Sequence, residues 1–266
     1  MLTFAAITPH PPIIIPEVGG EETKKVQKTI KAMEKLARNL VKAEPDTIII
    51  ISPHGLIYPD RMNICRMPKL AGDFAQFGAP EITQKFENNL ELAHKIAQKA
   101  QKEGIESLLY DNGSKIYTLD HGVMVPLYFL IQEIGSVKVL PIAYSYLSRE
   151  EHFGFGQIIS EIAQKESKNI ALVASGDLSH RLIPSAPAGF SPSGKKFDQK
   201  LVKLLEKNKV KEILDLPEDF VEEAGECGYR SLLILLGALH NRKYEPKILS
   251  YEGPFGVGYL VTQFVL

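Results

Sequence analysis

The chain has no tryptophan and only two cysteines, Cys65 and Cys227, in 266 residues. Two cysteines give no disulfide framework, which fits a reducing compartment. An excess of charge is also missing: 31 Lys and Arg stand against 32 Asp and Glu, a formal net charge of −1. With a pI of about 6.7 there is no basic field to attract nucleic acid or an anionic lipid surface. No apolar run approaches a bilayer span, and the first residues lead straight into a strand-like segment rather than a charged and then hydrophobic leader. A cytoplasmic location, with no membrane and no nucleic-acid partner, is expected. Neither a C-x-x-C nor an H-E-x-x-H motif occurs. Gly154 and Gly156 form a G-x-G that lies within a helical pattern and follows no strand, so it is not a dinucleotide fingerprint. Internal repeats, low-complexity tracts and a clear linker are absent, and the length suits one domain spanning residues 1–266.

What is present is a strand, a stop and a histidine, repeated. In TIIIISPHG, from Thr47 to Gly55, four β-branched isoleucines read as a central strand covered on both faces. Proline cannot donate to a sheet ladder, so Ser52-Pro53 ends the strand and delivers His54 just beyond it. LTFAAITPH, from Leu2 to His10, repeats the arrangement, and IALVASGDLSH, from Ile170 to His180, does so with Gly-Asp in place of proline. Parallel strands in one sheet share a carboxyl edge, where open α/β sheets place their active sites. Three of the seven histidines would converge there.

The remaining pattern predicts a single α/β domain: a mostly parallel central sheet, helices on both faces, and the active site at the strand carboxyl ends. Val26, Ile30, Met33, Leu36 and Leu40 draw one stripe along a helix over 21–43, which with the two flanking strands makes a right-handed β-α-β unit. Residues 61–67 read as a strand, 68–80 as a loop over the site, 87–102 as an amphipathic helix and 107–110 as a short strand. Asp120-His121-Gly122 is followed by an apolar helix through Ile131. A strand over 137–143 follows, and Ser148 to Glu151 matches a capping box. His94 and His152 fall on helices, where a packing or surface role is the simpler reading. Residues 181–194 read as a long loop, placed to act as a lid behind His180. Helices over 195–207 and 209–214, a glycine-bearing turn over 222–228, a buried helix over 231–239 and strands over 247–252 and 257–265 complete the chain.

Rigidly placed strand-end histidines suit metal coordination, because imidazole is the commonest neutral ligand. The plain alternative is that each is a hydrogen-bonded loop histidine. A third ligand must come from elsewhere. Glu226, flanked by glycines ahead of the buried helix, is the leading carboxylate; Glu222, Glu223 and Asp177 are further candidates, and Cys227 is a rival. Two His and one carboxylate form the facial set of non-haem Fe(II) sites, whereas zinc also takes two His plus a carboxylate or cysteine.

Taken together, TPHPP, SPHG, DHG before a helix beginning VMVPL, SGDLSH, and EAGECG before a helix ending LLGAL resemble the class III extradiol ring-cleavage dioxygenases, the LigB catalytic-subunit superfamily. The similarity runs in order along essentially the whole chain, and SGDLSHRL and GECGYR are most similar to its uncharacterised LigB-like and Memo-like branch. The resemblance implies Fe(II) held by His10, His54 and an acidic residue within 222–226, taken as Glu226. It further implies His180 as the acid/base residue beside dioxygen and His121 as its polar partner, with a catechol-like aromatic and dioxygen as substrates. Members of that branch are associated with an AMMECR-type domain and a radical-SAM protein, which implies such a partner, and a homo-oligomer is expected. Memo-like relatives place a cysteine ligand in a C-G-x-R context, matched here by Cys227 to Arg230. That match opens two other readings: a metal-binding or redox-partner protein without ring cleavage, and a zinc hydrolase.

Overall fold

The computed structural model describes residues 1–266. After β1 (Leu2–Thr8) come a 3-10 turn (Pro12–Ile14), the one-turn helix α1 (Pro16–Gly19), a second 3-10 stretch (Gly20–Val26) and the long helix α2 (Gln27–Lys42). Next are β2 (Thr47–Ser52), β3 (Met62–Cys65), β4 (Lys69–Phe74), β5 (Ala79–Glu87), α3 (Leu90–Lys102), β6 (Ser107–Tyr110) and β7 (Ile116–Thr118). The chain continues through α4 (His121–Leu130), β8 (Lys138–Ala143), α5 (Arg149–Lys165), β9 (Ile170–Ser175), α6 (Pro192–Glu206) and α7 (Val210–Leu214). It ends with α8 (Glu218–Ala224), α9 (Tyr229–Ala238), β10 (Glu245–Glu252) and β11 (Tyr259–Val265).

Eight strands form the main sheet in the order β10-β11-β1-β9-β2-β8-β3-β6. Its four central strands, β1, β9, β2 and β8, are mutually parallel, while β3 pairs antiparallel to β8 and parallel to β6, and β11 pairs antiparallel to both neighbours. The expected α/β architecture is present. β2 shows why: all six of its residues are buried. Side chains alternate across a strand, so Ile49 and Ile51 join the core beneath α3, α5 and α9, while Ile48 and Ile50 join the core beneath α2 and α4. Each such isoleucine contributes about 2 kcal/mol of burial, and only a strand sandwiched between two helical layers can use both sets. The Ser148–Glu151 capping box forms at the start of α5. Gly156 lets α5 cross α9 closely, since a Cβ there would overlap the Ile234 carbonyl. That glycine is a helix-packing residue.

The structure departs from the sequence-based expectation in four places. Residues 68–80 are not a loop: β4 and β5 form an antiparallel ladder across them, joined by a 3-10 turn (Ala75–Phe77), and β7 completes a separate three-stranded sheet. Only Leu70 and Phe74 of β4 are buried, too sparse a pattern to signal a strand. Consequently Glu87 closes β5, and α3 begins at Leu90 behind an Asn89 cap. The predicted turn over 222–228 is in part helix, because α8 runs to Ala224 and stops where Gly225 adopts φ 61°. The segment after His180 is shorter than predicted, with α6 starting at Pro192, and it is stitched down by Leu182 N–H to Gly256 O (3.0 Å) and Ser191 N–H to Arg181 O (3.0 Å). It is a pinned connection rather than a free flap. No helix is long and apolar enough to cross a membrane.

Candidate metal centre

Thr8 of β1 lies opposite Ser175 of β9, and β2 flanks β9 on the other side. His10, His54 and the segment 176–180 therefore leave the sheet at adjacent points on one edge. The two proline-stopped histidines meet: His10 Nε2 and His54 Nε2 are 3.0 Å apart. His121, the first residue of α4, stacks on His54 with ring centroids 4.2 Å apart and stands edge-on to His10 at 5.4 Å. His180 sits near enough to bear electrostatically on both His10 and His54, and its Nδ1 is buried without a partner.

The third element of the site comes from the turn before α9. Gly176 and Gly228 allow it to approach: a Cβ on Gly176 would overlap Gly228 Cα. The two segments then exchange bonds, Cys227 N–H donating to Asp177 O (3.2 Å) and Asp177 N–H to Cys227 Sγ (3.3 Å). Cys227 Sγ reaches within 3.6 Å of His10 Nε2. One ligand atom each from His10, His54 and Cys227 lie within 4.8 Å of one another. Glu226 is not in this group. Its carboxylate accepts the Tyr229 N–H and so caps α9, and burial pushes its pKa up to about 7. The exposed Glu222 and Glu223 lie in α8 and are likewise outside the group. Asp177 accepts the His10 N–H (3.0 Å), with its second oxygen 3.9 Å from His10 Nε2; burial raises it to about 7.

The chemistry of the three donors fits a metal ion, and so do the two separations that involve His10. Two imidazole nitrogens sharing a tetrahedral metal stand about 3.3 Å apart and a nitrogen and a thiolate sulfur about 3.6 Å, from bond lengths of ~2.0 and ~2.3 Å. The observed separations are 3.0 and 3.6 Å. Without a metal the same cluster is costly. Burial, with the neighbouring His121 imidazole, lowers the His54 pKa to about 4, and burial drives the Cys227 thiol well up. A cation reverses that penalty by favouring neutral imidazole and thiolate.

Several further residues line the site, of which only Asp120, in the DHG segment, carried a sequence signal. Phe77, at the tip of the small sheet, stands edge-on to His121 at 5.6 Å. Tyr117 of β7 brings its hydroxyl beside Gly55. Asp120 caps α4 and accepts the Ser52 hydroxyl, while His54 N–H donates back to Ser52 Oγ (3.1 Å). Tyr144, just past β8, is buried with its hydroxyl directed at the Cys227 carbonyl. None of these follows a strand-stop-histidine pattern, and each reaches the site only through tertiary packing.

A sheet edge that gathers imidazoles and a thiol around one point, walled by aromatic side chains, makes this α/β protein a candidate to hold a metal ion. The chain belongs to the LigB family: the model for the catalytic LigB subunit of aromatic ring-opening dioxygenase matches residues 4–262. Protein CA_C1420 of Clostridium acetobutylicum is 41% identical over 97% of this chain, and the match covers 56% of that protein, so the chain spans about half the length of this relative. Two more distant relatives match over nearly their whole length. The 3,4-dihydroxyphenylacetate 2,3-dioxygenase of Escherichia coli is 24% identical, with 92% of each chain covered. The 2-aminophenol 1,6-dioxygenase beta subunit of a Pseudomonas species is 23% identical, covering 98% of this chain and 92% of its own. An uncharacterized protein of Escherichia coli K12 shares the fold, with a TM-score of 0.64 at 17% identity, over 98% of this chain and 99% of the other.

Proposed function

We propose that the chain is a metal-dependent oxidoreductase that opens a catechol-like or aminophenol-like ring with dioxygen, its metal held by His10, His54 and Cys227. The observation that carries this is the convergence of those three ligand atoms at the carboxyl edge, in a family named for ring-opening dioxygenases. Glu226, the carboxylate favoured from sequence, gives way to Cys227 in this reading because one of its oxygens accepts the Tyr229 amide and it stands outside the converging group. The metal, Fe(II) in this reading, would supply the redox-active centre at which the aromatic hydroxyl and dioxygen are brought together.

The remaining residues have separable tasks. His180 is the proton carrier: burial lowers its pKa, so it arrives neutral, and its unpartnered Nδ1 is free to bond a substrate hydroxyl. His121, stacked on His54, contributes a polar edge to the pocket wall. Phe77 adds an apolar face suited to a planar ring and helps exclude water.

A second reading is favoured by Cys227 itself. A thiolate in place of a carboxylate shifts preference towards softer metals and makes the centre oxidisable, which suits a metal-binding redox protein that does not cleave rings. The experiment that tests the proposal is anaerobic purification and metal analysis, followed by oxygen uptake with 3,4-dihydroxyphenylacetate and 2-aminophenol. Iron at about one per chain and stoichiometric ring opening are expected. His180→Ala should retain the iron and lose turnover about 100-fold or more. Iron bound without any ring opening would shift the reading to the redox protein, and zinc in place of iron would point to hydrolysis.

A further inference from the structure

α4 contains a proline, Pro126, four residues after Gly122. In a regular helix the Gly122 carbonyl would accept the N–H of residue 126, but proline has none. That carbonyl is filled from outside the helix. The hydroxyl of Ser175, the last residue of β9, donates to Gly122 O at 2.5 Å.

A serine hydroxyl has one proton and two lone pairs, and a carbonyl oxygen has no proton to give. Once the Ser175 proton points at Gly122 O, the serine can only accept from its other neighbour, His10 Nδ1, at 2.9 Å. Both residues are buried, Ser175 completely and His10 to 2% exposure, so no water competes for these positions. His10 must therefore carry its proton on Nδ1. In the neutral ring this leaves Nε2 as a bare lone pair. His54 Nε2 lies 3.0 Å from it, and two lone pairs would repel at that distance, so His54 carries its proton on Nε2 and donates it. Every donor along this line points the same way, from His54 to His10 to Ser175 to Gly122.

We infer that Ser175 is a positioning residue that locks His10 as the Nδ1–H tautomer, its proton being committed to the carbonyl that Pro126 leaves unpaired. The consequence is an asymmetry between the two histidines. His10 already presents the lone pair a metal needs, whereas His54 must move its ring proton from Nε2 to Nδ1 to ligate through the nitrogen that faces His10. The consequence for metal binding rests on the metal centre proposed above; the tautomer itself does not.

The test is histidine-15N NMR of the metal-free protein at neutral pH, then of the same sample titrated with zinc. The expected result is His10 Nδ1–H and His54 Nε2–H without metal, with His54 alone changing tautomer on loading. Ser175→Ala should move His10 towards Nε2–H and weaken zinc binding roughly 10- to 100-fold, the usual loss when a histidine ligand's outer partner is removed. Because Ser175→Ala also strips Gly122 O of its donor, the double variant Ser175→Ala with Pro126→Ala is made alongside. It restores an in-helix N–H to Gly122 while His10 still lacks an acceptor, so the fold should recover and the tautomer shift should remain. A proton on His10 Nε2 in the wild type, or a tautomer and zinc affinity indifferent to both variants, would overturn the inference. A wild type with the expected tautomers that takes up no zinc would overturn the metal centre and leave the serine lock standing.

Discussion

The two edges of the parallel strands hold opposite kinds of space. At the amino edge, where β2 and β8 begin, a cleft of about 1000 Å³ opens between the two sheets, bordered by Asp46, Lys69, Lys85, Glu87 and Lys138. At the carboxyl edge the imidazoles and the thiol crowd within a few ångströms of one point, with His10 buried, Cys227 half-buried and His54 exposed. A cleft of that size would on its own suggest a binding site. Its charges, however, are solvated lysines and acids of mixed sign, and no three of its His, Cys, Asp or Glu side chains converge as metal ligands. At the carboxyl edge the surroundings make each of four imidazoles harder to protonate, although only His10 is fully buried. Converging donor atoms, rather than volume, mark the site.

The sharpest way to break that contrast is to change one residue at each edge. His54→Ala should abolish stoichiometric metal uptake, read by elemental analysis, with little change in melting temperature, because a strand-end histidine adds little to the core. Lys138→Ala, at the mouth of the cleft, should leave metal content unchanged. Metal lost in both variants, or in neither, would mean the edges do not differ as their geometry implies.

A smaller effect separates two neighbours within the carboxyl edge. Cys227→Ser should weaken metal binding by more than tenfold, since a serine hydroxyl does not ionise at neutral pH to replace a thiolate. Glu226→Gln should keep the metal and cost at most about 1 kcal/mol in a denaturant melt, the usual worth of a helix-capping contact. The reverse pattern would restore the carboxylate ligand.

These neighbours also show where sequence reading stops. His10 and His54 were legible because everything that places them is local: a β-branched run and a proline that ends it. His180 was legible through the same logic, beyond a strand, whereas His121 was pointed to only by the DHG motif of the family resemblance. Glu226 and Cys227 are adjacent in the chain, and which of them faces the histidines depends on the left-handed Gly225 and on Gly228 meeting Gly176 across the fold. No local pattern encodes that. The small sheet was missed for a related reason. β7 is three residues long and β5 alternates few large apolar side chains, so their pairing is decided by packing on α4 rather than by propensity. Phe77 and Tyr117 went unseen with it, as did Ser175, whose role exists only because α4 packs against β9.

The effect smallest at the metal lies just behind the carboxyl edge and is read in stability alone. Asp198 of α6 is fully buried, accepts the Ser179 N–H (2.9 Å) and the Tyr251 hydroxyl (2.6 Å), and so anchors the segment that ends in His180. Burial raises its pKa from 3.8 to about 6. Between those values the unfolded chain gives up this proton while the folded protein keeps it, so the native state binds more protons and stability falls as pH rises. Below the window both states are protonated and the contribution is fully present; above it the loss is complete. Asp198→Asn is neutral throughout and has no such slope. Urea melts of the metal-free proteins should therefore show the two nearly matched at the acid end of the window. The wild type should fall behind by about 3 kcal/mol at neutral pH, at 1.36 kcal/mol per pKa unit. Metal uptake by the variant should equal that of the wild type. A constant gap across the window would mean that Asp198 is ionised in the fold at every pH, its two donors outweighing its burial.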